Sequence, residues 1–214
     1  MPIFEFFHQH LTIVLSLAAT GIIAGLLAGL LGVGGGIVIV PVLFFLLQAN
    51  GVSADSAMLI ATATSLATMI PTSLSSIRAH QQKGNVDWLL LKRWGCFIVS
   101  GVMFGSWLVT KISGLWLTLL FGLIAILAAL NMLFRSGRAA LFPQLPRLAA
   151  QRLMGSGIGF FSSMVGIGGG TMSVPLLTLY NYPAHKAVGT AAAIGLLIAL
   201  PGATTLLILG QTPQ

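Results

Sequence analysis

Negative charge is almost missing from this chain: among 214 residues only Glu5, Asp55 and Asp87 are acidic. Charged residues of either sign make up 6% of the sequence, against about 25% in a soluble domain. A water-facing surface cannot be built from so few, so the surrounding solvent is expected to be lipid. Cys96 is the single cysteine, which excludes a disulfide framework and a thiolate metal cluster. The first eleven residues hold no Lys or Arg. A cleaved secretory leader needs a basic start, so Leu11–Leu31 is expected to be a retained span. No ionisable side chain stands in the middle of any expected span. Proton relays and cation pumps keep such a group there, so carboxylate-based proton coupling is not expected. No nucleophile, acid pair or metal-ligand cluster stands out; neither an enzyme nor a cofactor is expected.

What the chain has in abundance is apolar length. Hydrophobic residues make up 57% of it. A helix needs about 20 apolar residues to cross a bilayer. Leu11–Leu31, Ala57–Ile77, Leu115–Phe134 and Ala187–Leu209 meet that length, and Trp94–Thr110 is a shorter span. Ile37–Gln48, Leu153–Val165 and Thr171–Tyr180 are shorter still. The expected fold is all-α, a polytopic transmembrane helical bundle forming one membrane domain over residues 1–214.

The basic residues are not spread over a face, so a nucleic-acid partner is not expected. Arg78, Lys83, Lys92 and Arg93 flank one loop, and Arg135, Arg138, Arg147 and Arg152 occupy another. Two spans separate these loops, which places both on the cytoplasmic side. Counting back from Arg78, with the short helices taken as crossing, puts the N-terminus outside.

Two glycine clusters interrupt the apolar runs. One is Leu31-Gly-Val-Gly-Gly-Gly-Ile-Val-Ile-Val-Pro41; the other is Val165-Gly-Ile-Gly-Gly-Gly-Thr-Met-Ser-Val-Pro175. Open backbone is hard to tolerate in lipid, which supplies no hydrogen bonds. A cluster that recurs at an offset of 134 therefore points to an internal repeat with a site between its halves. Repeat one is expected over about 11–134, a basic cytoplasmic loop over about 135–152, and a partial repeat two over about 153–214. Opposite starting sides make the repeats inverted. Pro71 aligns with Pro201 and Gln81 with Gln211, so repeat two is expected to be truncated at its C-terminus.

Broken helices leave backbone N–H groups free at the start of the helix that follows. With the positive end of the helix dipole, they form an anion site near the midplane. The expected substrate-binding residues are Gly34, Gly35, Gly36 and Pro41 from one cluster. Gly168, Gly169, Gly170 and Pro175 come from the other. The plainer alternative is close helix packing through small residues. A dinucleotide site is excluded, because it needs a preceding strand in a soluble βαβ unit. Thr62, Thr64 and Ser65 could line a path, as could Thr68; Thr171 and Ser173 lie beside the second cluster. All could equally bond their own helix carbonyls. Gly21/Gly25/Gly29, Gly101/Gly105 and Gly155/Gly159 recur at four-residue spacing, which is the pattern of ordinary helix packing. His80 and His185 are expected to have loop or surface roles, and His8-x-His10 is not a metal site.

The paired Gly-x-Gly-Gly-Gly-(x)4-Pro segments, Ala61-Thr-Ala-Thr-Ser65 and Lys83-Gly-Asn-Val-Asp-Trp88 resemble the TauE/SafE sulfite-exporter family of membrane permeases. The resemblance runs from about Thr20 to Gly210. It implies multi-pass insertion in a bacterial inner membrane and export of sulfite, organosulfonates or related small anions. On it, Gly34–Gly36 with Pro41 and Gly168–Gly170 with Pro175 carry the two halves of the site. Partners would be the small anion and the lipid bilayer, and a homo-oligomer is compatible with this reading. The alternative is a non-transporting membrane scaffold or partner subunit.

Overall fold

The computed structural model describes residues 35–135 and 140–210, together with Leu11, Leu15, Ala18, Gly21, Ile22 and Gly25. Most of the expected first span, including Gly29, and the candidate Gly34 lie outside the described residues.

Among the described residues there are seven helices and no strand. They are α1 (Gly36–Ala49), α2 (Ala54–Gln82), α3 (Trp88–Val109), α4 (Gly114–Arg135), α5 (Leu148–Val165), α6 (Gly169–Leu179) and α7 (Ala184–Leu209). α2, α3, α4 and α7 are long and apolar enough to cross a membrane. At 11 residues, α6 covers only about 16 Å.

The two described acids both hold helix starts. Asp87 caps α3, accepting from the backbone N–H groups of Leu89 and Leu90 at 3.0 Å each. Asp55, in the first turn of α2, accepts from the backbone N–H of Gly114, where α4 begins. A carboxylate suits both places because the first N–H groups of a helix have no partner within it. Ser53 caps α2 through Ser56, at 3.4 Å.

Glycines bring α3 and α5 together. A Cβ at Gly101 would collide with the Ser156 carbonyl, one at Gly105 with the Ser163 hydroxyl, and one at Gly159 with the Ile98 carbonyl. Deeper residues of α3 meet deeper residues of α5, so the two helices run parallel. At their starts, Trp94 Nε1 donates to Gln151 Oε1 at 3.2 Å, and Arg152 stands 5.2 Å from the centre of the Phe97 ring. The two basic segments, through Lys92 and Arg93 on one side and Arg147 and Arg152 on the other, therefore share one end of the bundle.

α7 begins at that same end. Thr190 Oγ1 accepts from the Asp87 N–H at 3.0 Å, and Gly189 packs against Asn85. Further along, Gly195 meets Ser73 and Gly202 meets Leu66, so α7 runs antiparallel to α2.

α5 enters from the basic end and stops at Gly166, which takes the left-handed conformation (φ 66°, ψ 25°). Glycine suits that cap because it lacks the Cβ that makes such a φ costly. α6 then turns back. Its last residue, Leu179, accepts from Leu141 and Phe142 at 3.0 Å each, beside the start of α5. The sequence-based count took this short helix as crossing; it is re-entrant instead. It starts mid-bundle, and its C-terminal loop is tied at the basic end to Asp87 through the Tyr182 hydroxyl. α1 starts beside Gly166 and runs the other way, to the end where α2 begins.

Candidate functional site

The start of α1 meets the α5–α6 elbow roughly halfway along α2. A Cβ at Gly36 would strike the Gly166 carbonyl and lie 3.0 Å from Ile167 Cα and from Ser65 Oγ. The Ser65 hydroxyl donates to the Gly166 carbonyl at 2.7 Å, across 101 residues of chain. Neither α1, with N-cap Gly35, nor α6, with N-cap Gly168, has a side-chain cap.

A cavity of about 460 Å³ opens at this junction. Gly35 and the run Gly168–Gly170 form its inner end. α2 supplies one wall through Thr68, Met69, Thr72, Ser73, Ser76 and His80; α7 supplies another through Val188, Ala191, Ala192 and Gly195. Gly21 and Gly25 also line it. His80 lies two residues from the end of α2 and Val188 four residues into α7, so the cavity runs from mid-bundle toward the basic end. On the other side of the junction, Val40, Thr62, Leu66 and Ile167 are fully packed, each at most 1% exposed.

The sequence-based candidates divide. Gly35, Gly168, Gly169 and Gly170 are brought together on the cavity. Gly36 is spent on packing. Pro41 and Pro175 sit inside α1 and α6, off the cavity wall. Ser65 ties the two broken helices. Thr62 is buried with an unpartnered Oγ1, facing the junction from the packed side. Thr64 is exposed and away from the cavity. Thr171 and Ser173 are buried off the cavity wall, and the Ser173 hydroxyl donates to the Gly169 carbonyl of its own helix.

The wall holds residues that sequence reasoning missed. Thr72, Ser73 and Ser76 had no spacing signal of their own; they follow Thr68 on one side of α2. Thr72 bonds back to the Thr68 carbonyl at 3.1 Å and to that of Met69 at 3.0 Å. Ser73 and Ser76 make no such bond among the described residues. His80, expected in a loop, lies instead on the last turn of α2, because the helix runs 29 residues. Gly21 and Gly25, expected in helix packing, have nothing within 4 Å of where a Cβ would stand. No acidic residue lines the cavity among the described residues. An uncapped helix start at the end of such a pocket attracts anions, because its N–H groups and dipole both favour negative charge.

Comparison with known proteins agrees with a membrane role. The family described as Sulfite exporter TauE/SafE matches residues 17–213. A probable membrane transporter protein of Haemophilus influenzae is 30% identical over 199 residues, covering 93% of this chain and 75% of that protein. A probable membrane transporter protein of Methanocaldococcus jannaschii is 30% identical, over 83% of this chain and 66% of the relative. One from Bacillus subtilis, YunE, is 28% identical over 91% and 78%. No solved structure matches. With four helices among the described residues long and apolar enough to span a bilayer, and a match that covers most of the chain, this multi-pass membrane protein belongs to the TauE/SafE family of transporters.

Proposed function

We propose that this transporter exports a small oxyanion, sulfite or an organosulfonate or other sulfur-containing organic acid, across a bacterial inner membrane. One observation carries the reading: the cavity ends on the uncapped N-terminus of α6 at Gly168–Gly170 and has no acid among its described lining residues. Backbone N–H groups there would bind the oxygens of the anion. By the distribution of Lys and Arg, the basic end is cytoplasmic. The cavity then opens inward, as export requires of a loading state. The packed side of the junction, around Val40, Thr62 and Ile167, is the closed outer gate.

The two glycine-broken segments are inverted halves of this site. α1 and α6 leave the junction in opposite directions, and α2 and α7, which follow them, are antiparallel. Exchange between inward and outward states would rock one half against the other, and the Ser65–Gly166 hydrogen bond is where they grip. An anion leaving a negative interior gains about 2.3 kcal/mol per charge per 100 mV, so the membrane potential suffices to drive export.

The test is sulfite flux from proteoliposomes holding the 214-residue chain under an imposed potential. Flux that follows the potential and falls in Gly168→Ala supports the assignment. Folded protein that moves neither sulfite nor an organosulfonate sinks it. Gly169→Leu is a poor probe, since its Cβ would stand 2.8 Å from the Gly195 nitrogen and disturb packing directly.

A further inference from the structure

His80 is the one ionisable side chain among the described residues that line the cavity. Its Nδ1 is buried and has no hydrogen-bond partner. Nε2 is not shut in this way, and His80 lines the cavity. A neutral imidazole carries its proton on one nitrogen and a bare lone pair on the other. A buried N–H without a partner costs more than a buried bare lone pair, which favours the tautomer with its proton on Nε2.

We propose that His80 is a substrate-recognition residue at the cytoplasmic mouth of the cavity, presenting its Nε2–H to the oxygens of an entering oxyanion. This rests on the anion-path reading of the cavity. Its place fits a first contact: His80 is in the last turn of α2, whereas Gly168–Gly170 lie at the inner end of the same space. Between them stand Ser73 and Ser76, hydroxyls not bonded to the α2 backbone, which continue a line of donors inward.

Two measurements decide it. In the 15N-histidine-labelled full chain, with the His80 signals identified by their loss in H80Q, the ring should show a proton on Nε2 and none on Nδ1. Its Nε2 shift should move when sulfite is titrated in. A neutral ring with its proton on Nδ1 overturns the proposal. In sulfite flux, H80A should raise KM about fivefold, the loss expected of one neutral hydrogen bond, with kcat changed far less. H80N places its amide where Nδ1 was and should do no better than H80A. H80Q places its amide where Nε2 was and should recover at least half of the lost affinity. Equal behaviour of H80N and H80Q overturns the assignment. The tautomer is read without any flux, so an inert wild type would refute the sulfite reading while the spectrum alone judged His80.

Discussion

Glycine is used in two opposite ways at two places in this protein. Where α3 crosses α5, Gly101, Gly105 and Gly159 are filled against carbonyls and hydroxyls of the facing helix. At the cavity, Gly35 and Gly168 meet only the ends of flexible side chains, Ile39 Cδ1 at 3.2 Å and Met69 Sδ at 3.1 Å. The first set lets two backbones touch; the second leaves room. Small residues drive helix association in membranes through such close backbone approach. Removing them should break the fold at the crossing and only the function at the cavity.

The largest effect is expected at the crossing. Gly101→Leu or Gly159→Leu must push α3 and α5 apart, and overpacking of a tight contact costs about 1–3 kcal/mol or more. Thermal unfolding in detergent and size-exclusion profiles should show a large loss of folded protein. A stable, monodisperse Gly101→Leu protein would break the distinction. At the cavity, Gly35→Ala and Gly168→Ala should keep the unfolding temperature within a few degrees yet cut sulfite flux about tenfold. That is the loss expected when an anion is kept from a charge-assisted hydrogen bond. Normal flux in both variants would remove the glycine clusters from the binding site.

A smaller effect is expected at the pin that joins the α2–α3 loop to the α6–α7 loop. Burial raises the Asp87 pKa, but the Tyr182 hydroxyl, the Leu90 and Leu89 N–H groups and the charge of Lys186 lower it more, leaving it below the ordinary 3.8. Tyr182 is pushed far above its usual value by burial and by Asp87. A depressed carboxyl pKa means stability that is present above the unfolded-state value and lost as pH falls through the folded-state one. Asp87→Ala should therefore cost about 1 kcal/mol at neutral pH, as a lost helix cap does. It should also remove part of the wild type's further loss of stability below pH 3.8. Parallel acid-denaturation curves for wild type and variant would contradict this.

The smallest effect sharpens the comparison from the other side. Ser173→Ala removes a buried hydroxyl that bonds its own helix off the cavity wall, so flux should stay within about twofold and stability within about 1 kcal/mol. Ser73→Ala, on the wall, should lower flux more. The reverse order, measured in one flux assay, would return the site to the residues beside the second cluster.

Much of this molecule was legible in its sequence. Helix positions followed from apolar runs, because in lipid every backbone group must be satisfied within a helix. The shared end of the basic loops followed from the number of spans between them, and the packing role of Gly101, Gly105 and Gly159 from their four-residue spacing, though not which helices they join. That spacing could not separate Gly21 and Gly25, which line the cavity, from Gly101 and Gly105, which do not. The same period serves both uses, and only the opposing neighbour distinguishes them.

Composition and periodicity thus determined that the chain is an all-helical membrane protein interrupted at two glycine clusters, since these depend on local chemistry and on the solvent. Tertiary structure alone decided the rest. It made α6 re-entrant, turned Ser65 and Ser173 to backbone carbonyls, and set Ser73, Ser76 and His80 on the cavity wall. A side chain's role depends on what faces it, and residues more than a hundred positions apart supply that face.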